Sequence, residues 1–203
     1  MQFLVDFHRN GKLTKGVNST FIALIPKVNI PQRLNDYRPI SLVGCLYKVL
    51  TKVLANRLRN VIGSVVSDSQ SAFIKGKQIL DGILIANEVV DEARRLDKEH
   101  LMFKVDFKKV YDSVDLTYLD MVIVNMNFPT LWRKWISECI GTAKAAVLVN
   151  GCQRRNFLLR WGFVKGTLSP FLFLLAADGF NVLMKEMWGR ICLRGTLMVK
   201  MVR

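Results

Sequence analysis

One strand-like stretch carries the clearest chemistry in this sequence: Leu101-Met-Phe-Lys-Val-Asp-Phe-Lys-Lys-Val-Tyr-Asp-Ser-Val114. Its hydrophobic pattern contains the carboxylate of Asp106 and an aromatic residue, Tyr111, five positions later. A charged Asp within an apolar strand is costly to bury unless a cation meets it, and a divalent metal at the strand end is one such cation. The alternative is an Asp that ends the strand and turns the chain. This window alone leaves both interpretations open.

Composition indicates a globular chain with an anionic partner. The 203 residues are 51% hydrophobic, which is enough for the core of one or two domains. The net charge of +14 favours nucleic acid or an anionic membrane surface. Residues 1–60 hold ten Lys and Arg against two acids, and residues 151–203 hold nine against two. Two basic ends predict a cleft that grips phosphates, although any single Lys more often lies on a solvated face.

The sequence shows no targeting signal, membrane-spanning run or paired-cysteine pattern. No apolar run reaches the roughly 20 residues that span a bilayer, and no signal peptide opens the chain. We therefore expect an intracellular protein, nuclear or cytoplasmic, with no membrane partner, and the oligomeric state stays open. The four cysteines lack the spacing of a zinc site or a disulfide framework, and the two histidines are assigned no role.

Periodicity in the first half predicts strands and two amphipathic helices. Residues 21–28 are typical of a strand, and residues 31–39 form a polar connection bounded by prolines. A helix with a basic outer face follows. Its apolar positions are Leu46, Val49, Leu50, Val53, Leu54, Leu58, Val61 and Ile62. A second helix is predicted over residues 79–96, with Ile83, Leu84 and Val90 facing inward.

The second half continues the mixture of helices and strands. Residues 116–126 and 129–140 show helical spacing, and Trp132 and Trp135 are available for the core. The pair Asn150-Gly151 predicts a tight hairpin turn within residues 145–159. Ser169 and Pro170 then open a helix that runs to about Met187. Together these elements predict a single α+β body.

Five motifs in a fixed order link the sequence to a known family. They are Phe21-Ile-Ala-Leu-Ile-Pro-Lys27, Asp36-Tyr-Arg-Pro-Ile-Ser-Leu42, Leu54-Ala-Asn-Arg-Leu58, Gln70-Ser-Ala-Phe-Ile-Lys-Gly76 and Leu168-Ser-Pro-Phe-Leu-Phe173. In this order the chain resembles reverse transcriptases of non-long-terminal-repeat (LINE-type) retrotransposons, especially those of plants. The resemblance implies polymerase fingers over residues 1–100 and the first half of a right-hand palm over residues 101–187. Residues 188–203 form a divergent tail.

The resemblance also implies site residues and partners. Asp106 matches the first metal-binding, catalytic aspartate of the palm. Substrate-binding positions correspond to Lys27, Arg38, Tyr111, Lys165 and Gly166, and template contacts to Gln70, Phe73, Lys75 and Gly76. A lysine and an arginine together suit a triphosphate, since a point charge and a bidentate fork neutralise its phosphates. The implied partners are an RNA template and a DNA primer, and the implied cofactor is Mg²⁺.

Departures from the family pattern predict that the polymerase is degenerate. The family reads Arg-Gly-Leu-Arg-Gln-Gly-Asp-Pro-Leu-Ser-Pro, whereas this chain reads Arg160-Trp-Gly-Phe-Val-Lys-Gly-Thr-Leu-Ser-Pro170. Aligned at the glycine, Lys165 replaces the glutamine and Thr167 replaces the Asp-Pro pair. Beside Tyr111, Val110 stands where the family has a small alanine. A misplaced template or nucleotide costs orders of magnitude in rate.

The largest departure concerns the second catalytic signature. The family carries an Asp-Asp hairpin after the palm helix, and this sequence has no adjacent Asp pair. The nearest carboxylates are Asp112, Asp115 and Asp178, and neither Asp112, beyond the strand, nor Asp178, within a helix, is expected to substitute. A single strand carboxylate holds Mg²⁺ weakly, if at all, because Mg²⁺ keeps its waters unless several ligands help. We therefore expect a truncated, inactive reverse transcriptase.

Two non-enzymatic alternatives remain: a basic RNA- or DNA-binding module, and a relic without function. For the first, basic blocks at residues 48–59 and 154–160 would bind phosphates. The missing hairpin also gives a structural expectation. The edge of residues 103–107 should be unpaired, one face of the helix that starts at Ser169 uncovered, and the chain beyond Met187 poorly ordered.

Overall fold

The computed structural model describes residues 2–68, 70–71, 73–97, 100–106, 114–159, 166–190 and 196–202. The helices are α1 (Gln2–Asn10), α2 (Cys45–Val65), α3 (Ile79–Arg95), α4 (Leu116–Asn125), α5 (Thr130–Gly141) and α6 (Ser169–Arg190), with a 3-10 turn at Leu34–Asp36. The strands are β1 (Ser19–Pro26), β2 (Tyr37–Val43), β3 (His100–Asp106), β4 (Lys144–Val149), β5 (Cys152–Gln153), β6 (Phe157–Leu158) and β7 (Thr196–Val202). The predicted mixture of helices and strands is confirmed. Its division into fingers and palm stays a prediction.

The larger sheet pairs strands that precede α2 with strands that follow α5. Its order is β2-β1-β4-β5, with β6 also paired to β4. β1 runs antiparallel to β2 and parallel to β4. The predicted polar connection is too long, because β2 begins at Tyr37 and pairs Pro39 with Leu24. β2 is an edge strand, so the absent N–H of Pro39 breaks no ladder on its free side.

The hairpin predicted from Asn150-Gly151 is confirmed. Both residues have positive φ, 51° and 76°, as a primed two-residue turn requires. β4 and β5 pair antiparallel across this turn, with Leu148 opposite Gln153. The chain then leaves the ladder and returns as β6, which pairs with the first two residues of β4.

The smaller sheet corrects one expectation about the palm region. β3 is paired along its length with β7 in parallel register, from His100 opposite Thr196 to Asp106 opposite Val202. The edge of residues 103–107 was expected to be unpaired, and over Phe103 to Asp106 that prediction is wrong. Beyond Met187, α6 continues to Arg190 and β7 follows, and the expectation of poor order there stays a prediction. The Thr-Leu-Met-Val-Lys-Met-Val run of β7 has the apolar content of a strand.

The main core lies between helices. α2, α4, α5 and α6 supply most of the buried cluster, and Phe7 of α1 joins it. The helix predicted over α2 is confirmed, but its apolar stripe is shifted. Residues at spacing four, Leu50, Leu54, Leu58 and Ile62, are buried, whereas Leu46, Val49 and Val61 are about half exposed. The shift arises because Tyr47 and Thr51 also turn inward.

Helix α3 contradicts the predicted burial. Its bounds agree with the prediction, yet Ile83 and Leu84 are 46% and 63% exposed and not inward-facing. Val90 is half-buried, and none of the α3 side chains that the structure describes is fully buried. The amphipathic pattern is present, but the apolar side of α3 is only partly covered, since Val89 is half-buried like Val90 and the two leucines of α3 are exposed.

Helix α6 agrees better with expectation. Its N-terminal half supplies fully buried residues such as Leu172 and Leu175, whereas Val182, Leu183 and Met187 are about half exposed. An uncovered face on this helix was predicted and is confirmed. Across the described residues, no helix has the length and apolar character needed to cross a membrane.

Candidate nucleotide and nucleic-acid site

The β1–β2 hairpin brings together two of the predicted substrate-binding residues. Arg38 lies in β2 opposite Ile25 of β1. Lys27 is two positions after Ile25 and directly follows Pro26, the last residue of β1. Both side chains are exposed. The Lys27 main chain donates a hydrogen bond to the Asp36 carbonyl at 2.7 Å, and its Nζ donates to the Asn35 carbonyl at 2.7 Å. Lys27 is therefore held at the same end of the hairpin as Arg38.

Asp36 fixes the loop that precedes Arg38. Its Oδ2 accepts hydrogen bonds from the main-chain N–H groups of Gln32, at 2.9 Å, and Arg33, at 2.8 Å. These two hydrogen bonds lower the pKa of the Asp36 carboxyl below its ordinary value, and the bond from Arg33 has the larger effect. The charge of Lys27 lowers this pKa further, by a smaller amount. The loop is thus held by a charged acceptor that stays ionised at neutral pH.

The predicted template-contact residues lie in the segment that joins α2 to α3. Gln70 is half-buried, and Lys75 and Gly76 are exposed. Phe73 and Gly76 have positive φ, 60° and 83°, which makes the backbone turn sharply. The Phe73 ring lies 6.3 Å from that of Phe171 in α6, centroid to centroid. This packing places the segment against the start of α6.

Gly166 lies three residues before Ser169, the first residue of α6. Its N–H donates to Ser169 Oγ at 3.2 Å. With Tyr47 and Thr51 of α2, Gly166 and Ser169 line a small, mostly apolar cavity. Lys165 and Tyr111, predicted to bind substrate, lie outside the described residues, as does Asp112. Their roles stay predictions.

Asp106 is the last residue of β3. A strand-end position fits both interpretations of the sequence, a metal ligand and an Asp that ends the strand. The other two carboxylates that we considered are engaged in structural contacts. Asp115 caps α4 by accepting a hydrogen bond from the N–H of Tyr118 at 2.8 Å. Asp178 is 3% exposed and accepts bonds from the N–H and the Oγ of Ser67, the latter at 2.5 Å.

Mg²⁺ requires several oxygen ligands in near-octahedral geometry. Reverse transcriptases generally use this ion. Among the described residues no group of three His, Cys, Asp or Glu side chains could hold a metal. The described residues by themselves therefore form no site for Mg²⁺, and the role of Asp106 as a metal ligand stays a prediction.

Sequence reasoning missed the contacts that connect the helices behind the site. Ser67, just after α2, is bonded to Asp178 of α6. The hydroxyl of Tyr118 in α4 donates to the Ala176 carbonyl at 2.9 Å. Burial, and to a lesser extent the charge of Asp178, raises the pKa of Tyr118. The only signal in the sequence was an Asp inside a strongly apolar helix, which pointed to a buried, hydrogen-bonded carboxylate.

A second missed cluster holds α5 to the N-terminal half of the chain. The Cys139 carbonyl accepts hydrogen bonds from the Asn18 side chain at 2.7 Å and from the Tyr47 hydroxyl at 3.0 Å. Burial raises the pKa of Tyr47, and it raises the pKa of the Cys139 thiol to about 12. Both groups are therefore neutral across the physiological pH range.

A comparison of the sequence with models of known protein families gives the same result as the order of the motifs. The sequence model described as "Reverse transcriptase (RNA-dependent DNA polymerase)" matches residues 25–196. The chain belongs to the reverse transcriptase family. The match runs from the last two residues of β1 to the first residue of β7, so it includes Lys27, β2 and the Asp106 strand.

Individual reverse transcriptase relatives are distant and much longer. The chain is 25% identical over 189 residues to the "Transposon TX1 uncharacterized 149 kDa protein" of Xenopus laevis, covering 89% of this chain and 14% of that protein. It is 24% identical over 157 residues to the "Retrovirus-related Pol polyprotein from type-1 retrotransposable element R2" of Popillia japonica, covering 76% of this chain and 22% of that protein. A type-2 R2DM polyprotein of Drosophila melanogaster is 23% identical over 169 residues, covering 83% of this chain and 16% of that protein. The chain therefore spans less than a quarter of the length of these relatives.

Proposed function

We propose that this chain is part of the RNA-directed DNA polymerase domain of a non-long-terminal-repeat retrotransposon of the plant type. Residues 1–100 correspond to the fingers and residues 101–187 to the first half of the palm. The partners are an RNA template and a DNA primer. The family match over residues 25–196 carries the proposal. The placement of Lys27 and Arg38 at one end of an exposed hairpin supports a role for them in binding a triphosphate.

We further propose that the 203-residue chain does not extend a primer by itself. Its sequence contains no adjacent Asp pair, so Asp106 lacks the carboxylates that would complete a two-metal site. Asp115 and Asp178 do not replace them, because each satisfies main-chain or hydroxyl donors elsewhere. The altered loop at Lys165 to Thr167 adds to the same expectation.

Primer extension tests this proposal. The purified chain is incubated with a primed RNA template, deoxynucleotides and either Mg²⁺ or Mn²⁺, and the expected result is no extended product. Asp106→Asn and Asp120→Asn serve as matched variants, because each removes one carboxylate and Asp120 is exposed on α4. Extension that is lost in Asp106→Asn and kept in Asp120→Asn would contradict the proposed inactivity.

A second candidate function is a non-catalytic RNA- or DNA-binding module. The observation that favours it is the composition of α2, which contains Lys48, Lys52, Arg57 and Arg59 and no acidic residue across its 21 residues. Non-catalytic binding requires only surface cations. Binding of a labelled RNA without any extension activity would support this candidate.

A further inference from the structure

The outer face of α2 has an organised charge pattern. Lys48, Lys52 and Arg59 are exposed, whereas the apolar side of the helix is buried against α4, α5 and α6. The steps of four and seven residues between them place all three on one side of the helix. At 1.5 Å per residue this stripe extends for about 16 Å. We call these three residues the α2 stripe.

The fourth cation of α2 does not belong to the stripe. The guanidinium of Arg57 lies 6.0 Å from the centroid of the Trp135 ring, so it is directed toward α5. Arg57 therefore lies on the side of α2 that faces α5, whereas Arg59 of the stripe lies over a ring of α6. The charge of α2 is divided between one residue on the α5 side and three residues on another side of the helix.

The α2 stripe leads to the predicted template-contact segment. Arg59 lies over the Phe171 ring at 5.6 Å, and Phe73 contacts the same ring. A Cβ placed on Gly63 of α2 would lie 3.6 Å from Ile74 Cγ2, so the segment also passes close to the end of α2. Lys75, exposed in that segment, adds a further cation at this end.

The acids in this region are already engaged. Asp68 forms an ion pair with Lys77 at 3.7 Å, and Asp178 is buried against Ser67. Within the described part of the chain, no ion pair involves Lys48, Lys52 or Arg59. Three cations in a row without acidic partners form a surface that attracts a polyanion.

We propose that the α2 stripe binds successive phosphates of a nucleic-acid strand that passes toward residues 73–76. This inference rests on the proposed nucleic-acid function and adds a binding surface to it. Contacts of this kind position a strand without reading its sequence. An anionic membrane is a poorer partner, because a helix that enters a membrane needs its apolar face and that of α2 is in the core.

Charge-matched double variants test the proposal. Lys48→Gln/Lys52→Gln removes two stripe charges, and Lys12→Gln/Lys15→Gln removes two exposed charges from the segment between α1 and β1. Gln has nearly the helix propensity of Lys, so the first pair should fold normally. Fluorescence anisotropy measures the binding of single-stranded RNA, an RNA–DNA duplex and anionic vesicles over a range of salt concentrations.

For the stripe variant, we expect single-stranded RNA affinity to fall about tenfold at 0.1 M salt. The slope of log K against log salt should become shallower by about 0.7 for each lost phosphate contact. The control variant should retain most of its affinity and slope. Equal losses in both variants, no RNA binding by the unaltered chain, or a specific loss for vesicles alone would each overturn the proposal. None of these outcomes depends on primer extension, so the proposed polymerase origin is tested separately.

Discussion

Helices α2 and α3 have similar sequence patterns and different environments. Both are amphipathic, with 21 and 17 residues. α2 buries seven residues, and Leu58 among them is completely inaccessible to solvent. In α3, Leu80 and Leu84 are each 63% exposed. The apolar repeat thus predicted both helices, but it predicted burial only in part for α2 and wrongly for Ile83 and Leu84 of α3.

The difference shows that the repeat identifies an apolar face and not its partner. Most helix stability in proteins comes from packing of that face against other elements. α2 has α5 and α6 beside it, through contacts such as Tyr47 with Cys139 and Arg59 with Phe171. For α3 the cover is partial, because Val89 and Val90 are half-buried whereas Leu80 and Leu84 are exposed. Variants in the two regions should therefore differ strongly in their effect on stability.

The largest effect is expected at Leu58. Leu58→Ala should lower the free energy of unfolding by about 3 kcal/mol, because it removes a fully buried side chain and leaves a cavity. Chemical denaturation followed by circular dichroism measures the change. A loss below about 1 kcal/mol, outside the usual range for such sites, would mean that this core is loosely packed.

A smaller effect is expected where α4 and α6 approach closely. A Cβ on Gly179 would lie 2.6 Å and 2.9 Å from the two γ-methyl carbons of Val122. Gly179→Ala should therefore cost about 1–3 kcal/mol in the free energy of unfolding. Gly63→Ala is the matched control, because its Cβ would have an ordinary 3.6 Å contact and alanine favours the helix. If Gly179→Ala and Gly63→Ala changed the free energy of unfolding in the same direction, the close contact with Val122 would not explain the effect at Gly179.

Alkaline pH should act on the same core. The Cys139 thiol has a pKa of about 12 in the folded chain, compared with an ordinary value of 9.0. Above pH 9 the unfolded chain loses this proton and the folded chain keeps it, so the free energy of unfolding falls as pH rises toward 12. The slope is about 1.4 kcal/mol per pH unit for one group. Unfolding measured at several pH values should show a shallower fall in Cys139→Ala, and an unchanged slope would exclude this thiol as the cause.

The smallest effect is expected in α3. Leu84→Ala removes the same atoms as Leu58→Ala, but from a side chain that is 63% exposed. Its free energy of unfolding should change by no more than about 0.5 kcal/mol, the usual range for surface positions. The measurement is the same denaturation experiment. A loss above about 2 kcal/mol would show that the apolar face of α3 is covered in solution.

Local signals in the sequence predicted much of the fold. The Asn150-Gly151 turn, the presence of α2 and the bounds of α3 depend on neighbouring residues, and the structure has them as predicted. The pairing of β3 with β7 was missed because parallel strands are joined by no turn that the sequence could reveal. Burial in α3 was mispredicted because it depends on elements far away in the chain.

The candidate site was predictable in part for the same reason. The motif order predicted substrate-binding roles for Lys27 and Arg38, which stay predictions, and the β1–β2 register places both residues at one end of the hairpin. The buried role of Asp178 as an acceptor for Ser67 could not be foreseen, because their contact joins residues 111 positions apart. A sequence pattern shows which groups are present, whereas hydrogen-bond partners depend on the folded chain.

The parallel pairing of β3 and β7 has a consequence for the order of folding. His100 and Thr196 are opposite each other although 96 positions separate them, so the loop that must close is nearly half the chain. Closing a long loop costs chain entropy before any contact repays it, and such non-local pairings slow folding. The hairpin at Asn150 closes over a few residues and needs no such search. We therefore expect β3, which ends at Asp106, to pair with β7 late, after the local hairpin at Asn150 has formed.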